Sequence, residues 1–321
     1  MNTPIHIYVI ILLVSLLNAF EIQAQASKTE QKAVLVTGAT SGIGLKITEE
    51  LSSKGYFVYA GARKKTDMDR LNAMENVKSI KLDVTKWDDI NAAVETVKNE
   101  GRGLYGIVNN AGVAIFTPLI EVEEEDLDFI FNVNIYGPYR ITKAFAPLII
   151  ESKGRITNIS SISGILTGKF FGPYSMSKHA IEAYVDALAS EMEQFDVQVS
   201  AIEPGNYNSK IVSSLVKRME SNDISFENSL YKEDFEKLIS SYGADRSRYK
   251  DPLEVANAVE KALFSENPKR RYMVVPNEGE GNWTITQIMR EMVQLNENQA
   301  YKYDREKLIG ILDEMLAEAD K

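Results

Sequence analysis

The sequence predicts an α/β protein: a doubly wound, mostly parallel sheet with helices on both faces, in a single domain. Two observations carry this reading. From Ala33 onward, short apolar runs alternate with segments of helical period, and the connections between them are short. A glycine-rich turn, moreover, joins the first apolar run to the first helical segment.

Taken in order, Ala33 to Thr37 is the first strand and Ile43 to Ser53 the first helix. Phe57 to Gly61 and Val77 to Asp83 read as the second and third strands, and Trp87 to Lys98 is helical. Gly106 to Asn109 is the fourth strand, followed by one long helix over Glu124 to Ile150. Arg155 to Ile159 is the fifth strand, Pro173 to Phe195 a helix opened by its proline, and Val197 to Ile202 the sixth strand. Asn206 to Asp251 then breaks the rhythm with polar and charged residues. Pro252 to Phe264 is helical, Arg271 to Val275 is a last strand, and Ile285 to Ala319 is mostly helical. No internal boundary is visible, so residues 33–321 read as one domain.

The first residues stand apart. Ile5 to Leu17 is almost uninterrupted apolar sequence, and Ala24-Gln25-Ala26 has the small-x-small pattern of a signal-peptidase site. Met1 to His6 carries no Lys or Arg, so the positive start of an export signal is missing. Residues 1–26 are therefore expected to be a signal peptide or an N-terminal membrane anchor, with 27–32 a linker, and the protein to be exported or membrane-anchored.

Composition narrows the chemistry. A net charge of -10 offers no basic stripe for nucleic acid. With no cysteine there is no disulfide, thiol nucleophile or cysteine-ligated metal, and two histidines, His6 and His179, make no imidazole cluster. No metal site is expected. Reactivity must rest on oxygen acids, amines or a bound cofactor.

Tyr174 and Lys178 are four apart, so on a helix opened by Pro173 their side chains are neighbours. An ammonium beside a phenol favours the phenolate, which would bring a group that titrates near ~10 closer to use as a general acid and base. Ser161 follows the fifth strand and could present its hydroxyl to a substrate oxygen. Alone, this spacing is more often that of a solvated helix face. The context changes that. Thr37-Gly38-Ala39-Thr40-Ser41-Gly42-Ile43-Gly44 lies between a strand and a helix, where glycines let the backbone approach a pyrophosphate and the helix N-terminus supplies N–H groups.

With its Gly-x-x-x-Gly-x-Gly spacing, the chain resembles the short-chain dehydrogenase/reductase family in its single-domain branch, from about Lys32 to Asn277, and is similar to the steroid and retinol dehydrogenases within it. Asp83-Val84 after the third strand resembles the family's adenine contact, and Asn109-Asn110-Ala111-Gly112 its Asn-Asn-Ala-Gly signature. Asn134, Ser161, Tyr174 and Lys178 match the catalytic tetrad, and Pro204-Gly205 the turn beside the nicotinamide. Ser209 stands where the family usually has threonine.

The resemblance implies a Rossmann-type sheet and an NAD(P)-dependent enzyme acting on CH–OH or C=O groups. Tyr174 would exchange the proton with the substrate oxygen and Ser161 would steady that oxygen. Lys178 would lower the tyrosine pKa and hold the nicotinamide ribose, and Asn134 would support a water relay to the lysine. Thr37, Gly38, Ser41, Gly42, Ile43, Gly44, Arg63, Asp83, Val84, Asn110, Ala111, Gly112, Tyr174, Lys178, Pro204, Gly205 and Ser209 would line the cofactor site. Residues 206–251 lie where the family places its substrate lid, and a lipophilic alcohol or ketone is the expected substrate.

Ala62, just past the second strand, is not acidic and cannot accept from the ribose hydroxyls, and Arg63, Lys64 and Lys65 follow. NADP(H) is therefore expected in preference to NAD(H). The expected partners are a small-molecule alcohol or carbonyl compound and further copies of the chain in a homo-oligomer, with no nucleic acid and with membrane association only through the N-terminus. Two alternatives compete: a nucleotide-binding protein that has lost catalysis, and a lyase or epimerase on the same fold. The first usually damages the tetrad, which is intact here, and the second more often has a different glycine spacing and a larger C-terminal domain.

Overall fold

The computed structural model describes residues 31–221, 226–242 and 248–319. The apolar N-terminal segment and the proposed cleavage site lie outside them. Among the described residues, no helix is long and apolar enough to cross a membrane.

Seven parallel strands form one sheet in the order β3-β2-β1-β4-β5-β6-β7. They are β1 (Ala33–Val36), β2 (Phe57–Ala62), β3 (Val77–Lys81), β4 (Gly106–Asn109), β5 (Arg155–Ile159), β6 (Gln198–Pro204) and β7 (Arg271–Val274). The helices of the same unit are α1 (Gly42–Ser53), α2 (Lys65–Asn72), α3 (Trp87–Glu100), α4 (Glu124–Asn134), α5 (Tyr136–Glu151), α6 (Gly172–Met192), α7 (Ile211–Ser221), α8 (Lys232–Tyr242) and α9 (Leu253–Phe264).

Strand β1 is apolar and buried on both faces, as a sheet covered twice requires. Along β1, Ala33 and Leu35 enter one core with Ile90 of α3, Phe145 of α5 and Val185 of α6. Val34 and Val36 enter the other, with Ile47 of α1, Leu71 of α2 and Val259 of α9. Full burial of side chains this size contributes about 1.5–3 kcal/mol each.

Three elements differ from the sequence reading. The short α2 buries only Leu71, so its sequence carries almost no helical signal. The expected long helix is two, α4 and α5, broken at Ile135. Pro138 has no N–H to give to the Asn134 carbonyl four residues back, and its ring crowds that carbonyl. Pro147 sits inside α5 without ending it, so the proline is not the whole cause. Asn134 is also drawn aside: its Nδ2 donates to the Val113 carbonyl (3.0 Å) and to Ser177 Oγ (2.9 Å), and its Oδ1 accepts from the Val113 N–H (2.9 Å). Third, the helix expected to reach Phe195 ends as α-helix at Met192 and finishes in a 3-10 turn over Glu193–Phe195.

The sequence reading carried one domain on to Lys321, whereas the chain clusters as two compact units that meet between Pro276 and Asn277. The second unit is helical, with α10 (Glu278–Glu297) and α11 (Arg305–Ala319). Asn277 caps α10 by accepting from the Glu280 N–H at 3.0 Å. Asn296 then holds the turn between the helices, donating to the Tyr303 carbonyl and accepting from its N–H, both at 2.9 Å.

Candidate active site

Strands β1, β4, β5 and β6 deliver their C-terminal ends to one edge of the sheet, and the strand order reverses between β1 and β4, where open α/β sheets bind ligands. Beyond β1, Gly38 and Gly42 have φ of +65° and +54°, a region that favours glycine. A Cβ on Gly44 would collide with Asn110 Nδ2 and the Gly38 carbonyl, so only glycine lets α1 begin this close to the β4 end.

Asn110 and Ala111 hold the loop. Asn110 Nδ2 donates to the carbonyls of Thr37 (2.9 Å) and Gly38 (3.2 Å). Thr37 Oγ1 accepts from the N–H groups of Asn110 (2.9 Å) and Ala111 (3.0 Å). Ser41 makes no side-chain cap on α1, and the first turn of that helix has no acidic residue. Its free N–H groups and positive dipole end are left for an anion. This cradle fits the diphosphate of NAD(P). Ile43 packs against the core behind it. Ser209 closes the other side, with its Cα 3.3 Å from where a Cβ on Gly42 would stand.

At the end of β2, Arg63 is exposed. Asp83 feels its charge. Burial works to raise the Asp83 carboxyl, but bonds from the Thr85 hydroxyl (2.7 Å) and N–H (3.0 Å), then Arg63 and Lys86, hold it below the usual range. Val84 turns its side chain inward, where a Cβ on Gly137 would meet it at 2.9 Å.

Asn134, Ser161, Tyr174 and Lys178 converge. Ser161 caps its own turn by accepting from the Ser163 N–H (3.0 Å), and it donates to the Pro204 carbonyl (3.5 Å), which ties the β5 and β6 ends together. Gly205 donates to Val274 at 2.8 Å, fixing the Pro204-Gly205 turn to β7. Burial pushes the Tyr174 phenol up to about 12, with a hydrogen bond to Ser161 working the other way. That is opposite to the direction expected of a neighbouring ammonium. Lys178 Nζ lies 5.6 Å from the Tyr174 ring centroid and donates to the Ile159 carbonyl at 2.9 Å, and loss of water around the phenolate dominates. Burial also lowers the Lys178 ammonium to about 8, against the opposing pull of Glu182. Gly112 leaves room here: a Cβ on it would lie 3.4 Å from Asn134 Oδ1 and 3.9 Å from Lys178 Nζ.

Next to Tyr174, Ala114, Phe116, Val212 and Leu215 form a small apolar cluster against which Phe171, Tyr174 and Met219 pack. The Phe116 ring meets that of Tyr174 edge-on at 6.1 Å. Phe116, Leu215 and Met219 also line a cavity of about 510 Å³ together with Phe226 and Leu230. Its charged lining is Glu121, Glu123, Asp126 and Arg218. Arg218 Nη2 donates to Asp126 Oδ1 at 2.6 Å, and Glu121 accepts from Ser229 Oγ (2.6 Å) and the Leu230 N–H (2.9 Å). Phe170, at a φ of +73° that bulky residues seldom adopt, is held by the rings of Tyr231 and Phe235 just ahead of α6.

Several residues of this region were not singled out from sequence. Ser177 orients Asn134 and donates to the Tyr174 carbonyl at 2.7 Å. Arg70 donates to the Thr40 carbonyl at 2.6 Å, placing a second guanidinium at the glycine loop. Glu182 and Glu203 are buried, and Glu182 acts on the Lys178 ammonium. Their signals were present: Glu182 is one helical turn past Lys178, and Glu203 is a charge inside an apolar strand.

Known proteins can be set beside this geometry. A family model described as short chain dehydrogenase matches residues 32–220. The mitochondrial D-beta-hydroxybutyrate dehydrogenase of Rattus norvegicus is 34% identical over 269 residues, 78% of this chain and 78% of that protein. Retinol dehydrogenase 16 of Mus musculus is 32% identical over 272 residues, 80% of this chain and 85% of that protein. A short-chain dehydrogenase from Streptomyces avermitilis superposes with a TM-score of 0.69 at 26% identity, over 83% of this chain and 95% of the other.

Proposed function

The chain belongs to the short chain dehydrogenase family and is an NAD(P)-dependent oxidoreductase acting on CH–OH and C=O groups; from that premise we propose that it passes hydride between NADP(H) and an uncharged, lipophilic secondary alcohol or its ketone. The observation that carries the substrate class is the cavity lined by Phe116, the residue whose ring meets that of Tyr174 edge-on. Its walls are largely apolar, and its charged groups are three carboxylates against one guanidinium already paired with Asp126. A substrate carboxylate about 6 Å from one of those carboxylates would meet roughly 3 kcal/mol of repulsion at an effective dielectric of about 20. Of the two relatives named above, one is named for hydroxybutyrate, a carboxylate, and the other for retinol, an uncharged alcohol. The lining favours the second kind.

The nicotinamide supplies or accepts the hydride when bound. Tyr174 gives its proton to the carbonyl oxygen in reduction and takes it from the hydroxyl in oxidation, while Ser161 steadies the same oxygen. Lys178 returns the proton to the phenolate and would hold the nicotinamide ribose. The side chain of Asn134 is occupied by Val113 and Ser177. Its main-chain carbonyl, deprived of a helical donor by Pro138, is therefore the group available to a water relay. The test is turnover with NADPH, NADP, NADH and NAD over uncharged secondary alcohols and ketones alongside 3-hydroxybutyrate. A larger kcat/KM for the carboxylate than for every uncharged compound would overturn the substrate class.

The NADP(H) preference rests on Arg63, with Arg70 near the same loop. Arg63→Ala is expected to weaken NADPH binding by about 1–3 kcal/mol, the scale of a charge-assisted hydrogen bond, and to leave NADH binding nearly unchanged. Fluorescence titration of both cofactors checks this, and equal losses would remove Arg63 from the selection.

For residues 1–26 we propose an export signal or an anchor that leaves residues from about Ser27 as the enzyme. Sequencing the mature N-terminus and fractionating membranes decide this. An intact Met1 on a wholly soluble protein contradicts both forms. Assembly into a homo-oligomer is expected as well, read as a solution mass that is a multiple of 36.0 kDa for the uncleaved chain.

A further inference from the structure

Behind the tetrad, away from the cavity, lies a buried cluster of charge. Glu182 sits one turn beyond Lys178 on the buried stripe of α6, and Glu203 sits in β6 beside Pro204; they are 9% and 2% exposed. Both face one guanidinium. Arg271 Nε donates to Glu182 Oε2 at 3.1 Å and stands 3.4 Å from Glu203 Oε1. Its Nη2 donates to Asp186 Oδ2 at 2.8 Å, and Arg270 lies 3.8 Å from the same carboxylate. A Cβ on Gly164, in the turn that follows Ser161, would be 3.0 Å from both Glu182 Cγ and Ser160 Oγ.

Glu182 therefore touches all three catalytic segments. It belongs to the helix of Tyr174 and Lys178, it lies against the turn that Ser161 begins, and through Arg271 and Glu203 it grips the strand that ends in Pro204-Gly205. On the dehydrogenase reading above, we propose that Glu182 and Glu203 are positioning residues: an acid–carboxylate pair, sharing one proton and held by Arg271, that fixes the spacing of these three segments.

The charges facing the pair are Lys178 and Asp186 from α6, Arg271 from β7 and Arg270 just before it; the turn over 160–164 carries no charged side chain. Arg271 is divided among three carboxylates, so a second full charge on the buried pair would be largely uncompensated, and one proton is retained. The Glu203 carboxyl is raised to about 8, first by burial and then by Glu182.

The test has two arms. In the cofactor-free protein, melting temperature is followed from pH 5 to pH 9 for wild type and for Glu203→Gln, whose amide can donate like the acid but cannot ionise. An unfolded glutamate releases its proton near ~4.3, whereas the folded pair keeps its proton until about 8. Wild type should therefore lose stability relative to E203Q as pH rises through that window, by about 3 °C per pH unit, and the gap should stop growing above it. Parallel melting curves overturn the shared proton. In turnover, Glu203→Ala should lower kcat about 10–100-fold, as misplaced catalytic groups do, with KM values within about threefold. E203Q should recover most of that loss. If E203A does not fold, Glu182→Asp takes its place with the same expected fall. Wild-type kcat in the variant that folds, or an E203Q as poor as E203A, overturns the positioning role. A wild type that turns over no alcohol or ketone would sink the dehydrogenase reading instead, and the melting curves would still decide the pair.

Discussion

Tyr174→Phe is expected to lower kcat by about 10²–10⁴-fold, the range supplied by a positioned general acid or base, with NADPH affinity changed less than about twofold. The substitution removes only a hydroxyl. The ring keeps its place beside Phe116, and the glycine loop is held from Thr37 and Asn110, well away from it. Pre-steady-state hydride transfer together with cofactor titration reads both quantities. Near wild-type turnover would take Tyr174 out of the chemistry. Lost cofactor affinity at intact kcat would make it a binding residue only.

Lys178→Met is expected to act on function and stability in opposite directions. Catalysis should fall by about two orders of magnitude or more, and cofactor binding should weaken, since in the proposed mechanism one ammonium would serve both the phenol and the ribose. The cofactor-free protein should nevertheless melt higher at pH 7. The folded ammonium titrates near 8 because burial disfavours its charge, against ~10.4 in an unfolded chain. Below pH 8 the folded state carries the whole penalty, and between 8 and 10.4 wild-type stability rises as the unfolded chain alone keeps its proton. Allowing for the lost bond to Ile159, K178M should gain roughly 2 kcal/mol at pH 7. That advantage should fade towards pH 10. A K178M that is less stable at pH 7, or a gap that does not move with pH, contradicts the account.

Much of this was legible from residue order, for identifiable reasons. The central strands are buried on both faces, so Ala33–Val36 and Gly106–Asn109 announce themselves as apolar runs. Gly38, Gly42 and Gly44 are dictated by a close approach of backbones that local sequence records. Helix α2 was not legible, because one buried leucine makes no period. The break at Ile135 was written in Pro138, but its consequence depends on Val113 and Ser177, which only the fold brings to Asn134. The direction of the Tyr174 shift was misread for a related reason: spacing places Lys178 beside Tyr174, whereas burial is a property of everything packed around both. Glu182 and Glu203 come from a helix and a strand, and no periodicity relates them. The cavity lining is assembled from stretches around residues 115–126 and 215–230, so its charge balance exists only in three dimensions.

That mixed origin of the cavity bears on how such an enzyme can be retooled. The proton-transfer groups ride on strand ends and on α6. Leu215, Met219, Phe226 and Leu230, which shape the far wall, come from α7 and the stretch after it. A randomised library confined to Phe226 and Leu230 would sample new substrates while sparing Leu215 and Met219, which share an apolar cluster with Tyr174. Such a library can be screened by following the absorbance of the reduced nicotinamide.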